Sequence, residues 1–283
     1  MSQNIVGIIG SGIMACGIAE VCISNAVKTI VLARSHQSSD RVVTNVEKSL
    51  ERLVSKEKIT SEEKSQRLQR LSVTIVPEEI ENCDIVLETV IEDLDIKKEI
   101  FRDIDDLLKP DALLLTNTST LPIVELAVAA PNHVQNVVGF HFSNPAQVMP
   151  LIEVVTPVSA SEEAINRAYD FALALGKEPI KVKDQAGFVL NALLFPYLNN
   201  AIRLYELGVA SLKDIDSAMK NGAGFPMGPF EVLDLVGLDT SLAILETLYK
   251  EYNDPNFAPR PLLKRLVSAG KLGRKSKQGF YNY

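Results

Sequence analysis

Two side chains in this 283-residue sequence have the type and setting for acid–base chemistry. His141 ends the apolar run Val137-Val138-Gly139-Phe140 and opens Phe142-Ser143-Asn144-Pro145, so it stands where a buried strand gives way to a loop. Glu153 is a carboxylate inside another apolar run, Leu151-Ile152-Glu153-Val154-Val155. A charge buried there is costly without a partner. An imidazole is a natural one, and a carboxylate on one ring nitrogen lets the other act as a base. The segment Asn117-Thr118-Ser119-Thr120 also follows an apolar run; taken alone it reads as a turn that caps the next helix. Asn191, in Gly187-Phe188-Val189-Leu190-Asn191, is an amide among apolar neighbours and needs a partner. His36 and His133 lie among polar, turn-forming residues and read as surface groups.

The chain is organised around its first twenty residues. The apolar run Ile5-Val6-Gly7-Ile8-Ile9 leads into Gly10-Ser11-Gly12-Ile13-Met14-Ala15, and a helical pattern follows. Gly10 allows a tight strand-to-helix turn, and Gly12 lets a pyrophosphate lie against the backbone. Ala15 holds the third small position, where helix and strand pack closely. The helix then turns its free N–H groups and positive dipole end toward the phosphates. With a strand before it and a helix after it, this glycine turn reads as a dinucleotide cradle.

Hydrophobic residues make up 46% of the chain and charged residues 23%, a globular composition. The net charge of −7 argues against nucleic acid or an anionic membrane as partner. Cys16, Cys22 and Cys83 lack metal or redox spacing, no metal site is expected, and a reducing, cytoplasmic setting follows. Cys16 lies near a helix N-terminus, which would make a low-pKa thiol, although a small residue filling the turn is the simpler reading.

The elements that position these residues follow from periodicity. Strands are expected at 29–33, 72–76, 84–88, 112–116, 137–141, 152–155 and 179–183, with helices at 40–54, from 61, at 97–108 and at 161–175. This alternation predicts an α/β fold, a Rossmann-like, doubly wound parallel sheet over residues 1–184. Beyond Asp184 the pattern is helical: 187–207 with a kink at Pro196, a helix capped by Ser211 and closed by Gly222, then 230–250 and 261–269. Residues 185–283 therefore read as a separate all-helical domain.

The sequence resembles the short-chain L-3-hydroxyacyl-CoA dehydrogenase family, close to the bacterial 3-hydroxybutyryl-CoA dehydrogenases. The stretches that carry the resemblance run nearly end to end, and Gly228-Pro229-Phe230-Glu231 and Gly273-Arg274-Lys275-Ser276-Lys277-Gln278-Gly279-Phe280-Tyr281 are especially specific. The resemblance implies that His141 is the catalytic base and Glu153 its orienting partner. It implies that Ser119 and Asn191 hydrogen-bond the 3-oxygen or the thioester region. Glu92, Lys97, Asn144 and Lys275 match positions that contact the dinucleotide, alongside Gly10, Gly12, Ile13, Met14 and Ala15 in the cradle. Ser49 and Lys56 match coenzyme A contacts. A homodimer formed through the helical domain is also implied.

Three residues depart from the family pattern. Ser143 stands where an aromatic or apolar residue is common, Ala15 replaces a third glycine, and Arg34 replaces the usual ribose-binding acid. The strand Ile30-Val31-Leu32-Ala33 ends in Arg34-Ser35, with no acid until Asp40. A guanidinium there suits a 2′-phosphate, with the Ser35 hydroxyl as a further donor, so NADP is favoured modestly over NAD. The expected reaction interconverts L-3-hydroxyacyl and 3-oxoacyl thioesters. Two other readings stand beside it: the same chemistry on an acyl carrier protein, and a nucleotide-binding module without catalysis.

Overall fold

The computed structural model describes residues 4–283. Two compact units meet in sequence between Asp184 and Gln185.

The first unit is built on one eight-stranded sheet: β1 (Ile5–Ile9), β2 (Lys28–Leu32), β3 (Leu71–Thr74), β4 (Ile85–Glu88), β5 (Leu113–Thr116), β6 (Val137–Phe142), β7 (Leu151–Thr156) and β8 (Glu178–Lys183), in the order β3-β2-β1-β4-β5-β6-β7-β8. Its helices are α1 (Ile13–Ser24), α2 (His36–Ser55), α3 (Ser61–Leu68), α4 (Leu94–Asp105), α5 (Ile123–Ala129) and α6 (Glu162–Ala174). Every neighbouring pair is parallel except β6 and β7. The expected doubly wound sheet is therefore present, with one reversal. Its cause is the short connection Ser143–Pro150, because a parallel return needs a crossover of a dozen residues or more.

One apolar cluster joins α1, α2 and α6 to one face of the sheet, through Val6, Ile8, Ile18, Val42, Val46, Leu50 and Phe171. Val42, Val46 and Leu50 recur at helical spacing, so α2 buries one stripe and exposes the rest. Strand side chains alternate between faces. Val138, Phe140, Ile152 and Val154 belong to this cluster, which turns His141 and Glu153 to the opposite face.

Helix starts follow local capping chemistry. α2 begins at His36 rather than at residue 40, because Ser35 and Ser38 form a reciprocal capping box. Thr60 and Glu63 cap α3 as their spacing predicts. The Asn117–Thr120 turn does not cap α5, whose N-cap is Pro122. Instead the Asp184 carboxylate accepts from Ile123 N at 3.1 Å and Val124 N at 2.9 Å.

In the second unit, α7 (Leu190–Glu206), α8 (Leu212–Ala223), α9 (Pro229–Val236), α10 (Leu238–Tyr252) and α11 (Pro261–Ser268) pack around Phe195, Leu198, Ile202, Phe230, Leu233, Leu245 and Leu263. Pro196 lies inside α7. Ser211 caps α8, but the left-handed residue that ends it is Gly224, not Gly222. The expected single helix over 230–250 is two helices, because Gly237 adopts φ +102° and breaks the run.

Candidate active site

The glycine turn leaves β1 at Gly10, whose φ of +133° suits glycine, and a Cβ there would lie 2.6 Å from the Thr89 carbonyl oxygen. Gly12 is the N-cap of α1, and the space where its Cβ would sit is open. No side chain caps α1, and its first turn carries no acid. The first N–H groups and the positive helix end are thus left to an external anion. Ile13 is exposed, Met14 half-buried, and Ala15 fully buried against the core. These residues fit a dinucleotide pyrophosphate. Arg34 is exposed just beyond β2. Ser35, expected as a hydroxyl donor beside it, instead caps α2: its Oγ accepts from Ser38 N at 3.3 Å and lies 3.1 Å from Ser38 Oγ.

At the carboxyl end of β6, on the same edge of the sheet as the glycine turn, His141 and Glu153 are directly opposed in the β6–β7 register. His141 Nδ1 lies 2.8 Å from Glu153 Oε2, and both residues are buried. The backbone N–H of Phe142 donates to Asn117 Oδ1 at 2.8 Å, which fixes the exit of β6 against the exit of β5. With Nδ1 facing a carboxylate, Nε2 is the nitrogen that can take a substrate proton.

Ser119 is half-buried in the turn after β5. That turn is shaped by Glu92, whose Oε1 accepts from Ser119 N at 2.7 Å, Thr118 Oγ1 at 2.8 Å and Thr120 N at 3.1 Å. Lys97 lies behind Glu92, with Nζ 3.7 Å from Glu92 Oε2. Lys97 is itself buried, and its Nζ donates to Glu88 Oε1 at 2.6 Å. Glu88 also accepts from Val90 N and Thr116 Oγ1, so the buried pair is fully engaged. Sequence reading missed Glu88, although it carries the signal that marked Glu153: a carboxylate in an apolar strand.

The other expected positions are more scattered. Asn144 is exposed in the β6–β7 loop, while Ser49 is half-buried and Lys56 exposed on and just after α2. In the second unit, Asn191 is buried near the start of α7, and Lys275 Nζ pairs with Asp239 at 2.6 Å. His133 is not a surface group. It is buried, with Nδ1 2.8 Å from Asp105 Oδ1 and Nε2 2.8 Å from the Lys109 carbonyl. Cys16 is not a low-pKa thiol either: burial pushes its pKa up and outweighs a contact from Asn45. No group of side chains that would hold a metal occurs among the described residues, and no helix there is long and apolar enough to cross a membrane.

A proton acceptor and an anion cradle at strand ends on the carboxyl edge of one mainly parallel sheet are what an oxidoreductase using a nicotinamide dinucleotide requires. Comparison with known proteins specifies the class. The NAD binding domain of 3-hydroxyacyl-CoA dehydrogenase matches residues 5–185, and the C-terminal domain of the same family matches residues 187–283. A 3-hydroxybutyryl-CoA dehydrogenase of Mycobacterium tuberculosis is 42% identical over 280 residues, 98% of each chain. The crystal structure of M. tuberculosis FadB2 superposes with a TM-score of 0.97 at 42% identity, covering 99% of each chain. That of (S)-3-hydroxybutyryl-CoA dehydrogenase PaaH1 from Ralstonia eutropha gives 0.95 at 36% identity, covering 100% of this chain and 99% of that one. The chain belongs to the 3-hydroxyacyl-CoA dehydrogenase family of oxidoreductases.

Proposed function

We propose that the protein interconverts (S)-3-hydroxyacyl-CoA and 3-oxoacyl-CoA thioesters of short chain, the four-carbon thioester among them. The observation that carries this reading is the buried His141–Glu153 pair, 2.8 Å apart, at the carboxyl end of β6. The nicotinamide, when bound, supplies the acceptor for hydride in oxidation and the donor in reduction. In oxidation, His141 Nε2 takes the proton of the 3-hydroxyl as the C3–H electron pair leaves carbon and the C3–O bond becomes a carbonyl. Glu153 stabilises the imidazolium that forms, as an anion beside a new cation. In reduction, the imidazolium returns the proton to the oxygen. Ser119 and Asn191 serve as hydrogen-bond donors to the substrate, favouring the charge that develops on oxygen.

Gly10, Gly12, Ile13, Met14 and Ala15 cradle the dinucleotide, with Glu92, Asn144 and Lys275 as further contacts. Lys97, buried behind Glu92, acts through that carboxylate. Ser49 and Lys56 bind coenzyme A. Arg34, exposed where an acid would read the ribose, supports use of NADP(H) at least equal to NAD(H). The helical unit serves as a homodimer interface; Leu193, Leu207 and Val209 remain exposed there, while Leu198 and Ile202 belong to its own core. The three free cysteines support a reducing, cytoplasmic setting.

The test follows reduced nicotinamide by absorbance with acetoacetyl-CoA and with the same acyl group on an acyl carrier protein. Turnover of the CoA thioester is expected. Turnover confined to the carrier-protein substrate, or dinucleotide binding with no turnover, would overturn the reading.

A further inference from the structure

The loop Ser143–Pro150 joins the strand of His141 to the strand of Glu153 and carries the exposed Asn144. Two buried charged side chains hold it. Lys177, at the head of β8, donates from Nζ to the Ala146 carbonyl at 2.6 Å and to the Met149 carbonyl at 2.9 Å. Glu20, on α1, accepts from Gln147 Nε2 at 2.9 Å. Lys177 is 9% exposed and Glu20 only 4%. Burying such charges is costly, so their hydrogen bonds to the loop are the compensation. Gly17 permits the contact: a Cβ there would come within 2.9 Å of Gln147 Oε1.

α1 begins at the anion cradle and, through Glu20 and Gly17, touches the loop that leaves His141. We infer that Lys177 and Glu20 are positioning residues: Glu20 ties the Ser143–Pro150 loop to α1, Lys177 braces it from the head of β8, and together they set where Asn144 meets the dinucleotide relative to His141. Neither touches a reacting atom. The inference rests on reading His141 as the base and Asn144 as a dinucleotide contact.

The experiment compares Lys177→Met, Lys177→Arg, Glu20→Ala and the wild type. It measures hydrogen exchange of the loop amides, the Kd for reduced dinucleotide by fluorescence, and kcat with KM for each substrate, all well below the melting temperature of every variant. In Lys177→Met and Glu20→Ala, loop exchange is expected to quicken about tenfold or more, as a local opening made easier. Dinucleotide Kd should rise and kcat should fall by about 10-fold or more, since small misplacements at a reacting centre are costly. The KM for the thioester should stay within about twofold, a split that general loosening would not produce. Lys177→Arg keeps the charged donor and should recover most of the loss. Folded Met and Ala variants with wild-type Kd and kcat would overturn the inference. So would equal losses toward both substrates that merely track melting. A wild type that binds dinucleotide but turns over no thioester would remove the proposed function, while the exchange and Kd comparison would still decide this inference.

Discussion

His141 and Glu153 stand directly opposite each other on β6 and β7, with Nδ1 2.8 Å from Oε2. The β6–β7 register produces this, since directly opposed residues on adjacent strands carry their side chains on one side of the sheet.

Removing the anion while keeping the shape tests that pairing. In Glu153→Gln the ring loses the carboxylate that orients it and that stabilises the cation formed in oxidation. The kcat for oxidation should fall about tenfold or more, while the dinucleotide Kd stays near the wild-type value. A folded variant with the wild-type kcat would break the link between the two residues.

Arg34 should read the cofactor's ribose. A charge-assisted hydrogen bond is worth roughly 1.5–3 kcal/mol, so Arg34→Asp should swing preference toward NAD(H) by about tenfold or more. Steady-state kinetics with both dinucleotides measure it. A wild type with strong NAD(H) preference, unchanged in the variant, would show that this position does not face the ribose.

The thiols should be inert in the native protein. Burial raises the pKa of Cys16, that of Cys22 to about 12 and that of Cys83 to about 11. Since the thiolate is the nucleophile, iodoacetamide at neutral pH should label all three only after unfolding. Rapid labelling of Cys16 in the folded protein would contradict its burial.

Much of this was legible in the sequence because the signals were anomalies. A carboxylate in an apolar strand and a histidine at a strand end stand out against their neighbours, and a strand–glycine–helix run has few other uses. What was hidden depended on partners far along the chain. His133 looks polar by its neighbours, but its partner Asp105 lies 28 positions away. Nothing in the sequence around Lys177 announces that it is buried beneath the carbonyls of Ala146 and Met149, about thirty positions earlier. Gly237 looks like one tolerated glycine in a helix, and only its φ of +102° reveals the break. The Asn117 turn looked like a helix cap, yet Asp184 takes that task from the far end of the unit.

The central claim is that His141 is the base for thioester turnover on a dinucleotide-binding sheet. Kinetics of His141→Ala with acetoacetyl-CoA, beside a direct measurement of dinucleotide binding, test it most closely. Loss of a general base costs about 10²–10⁴-fold, so turnover should fall by that much while the dinucleotide Kd stays near the wild-type value. A folded His141→Ala protein that turns over the thioester at the wild-type rate would contradict the account.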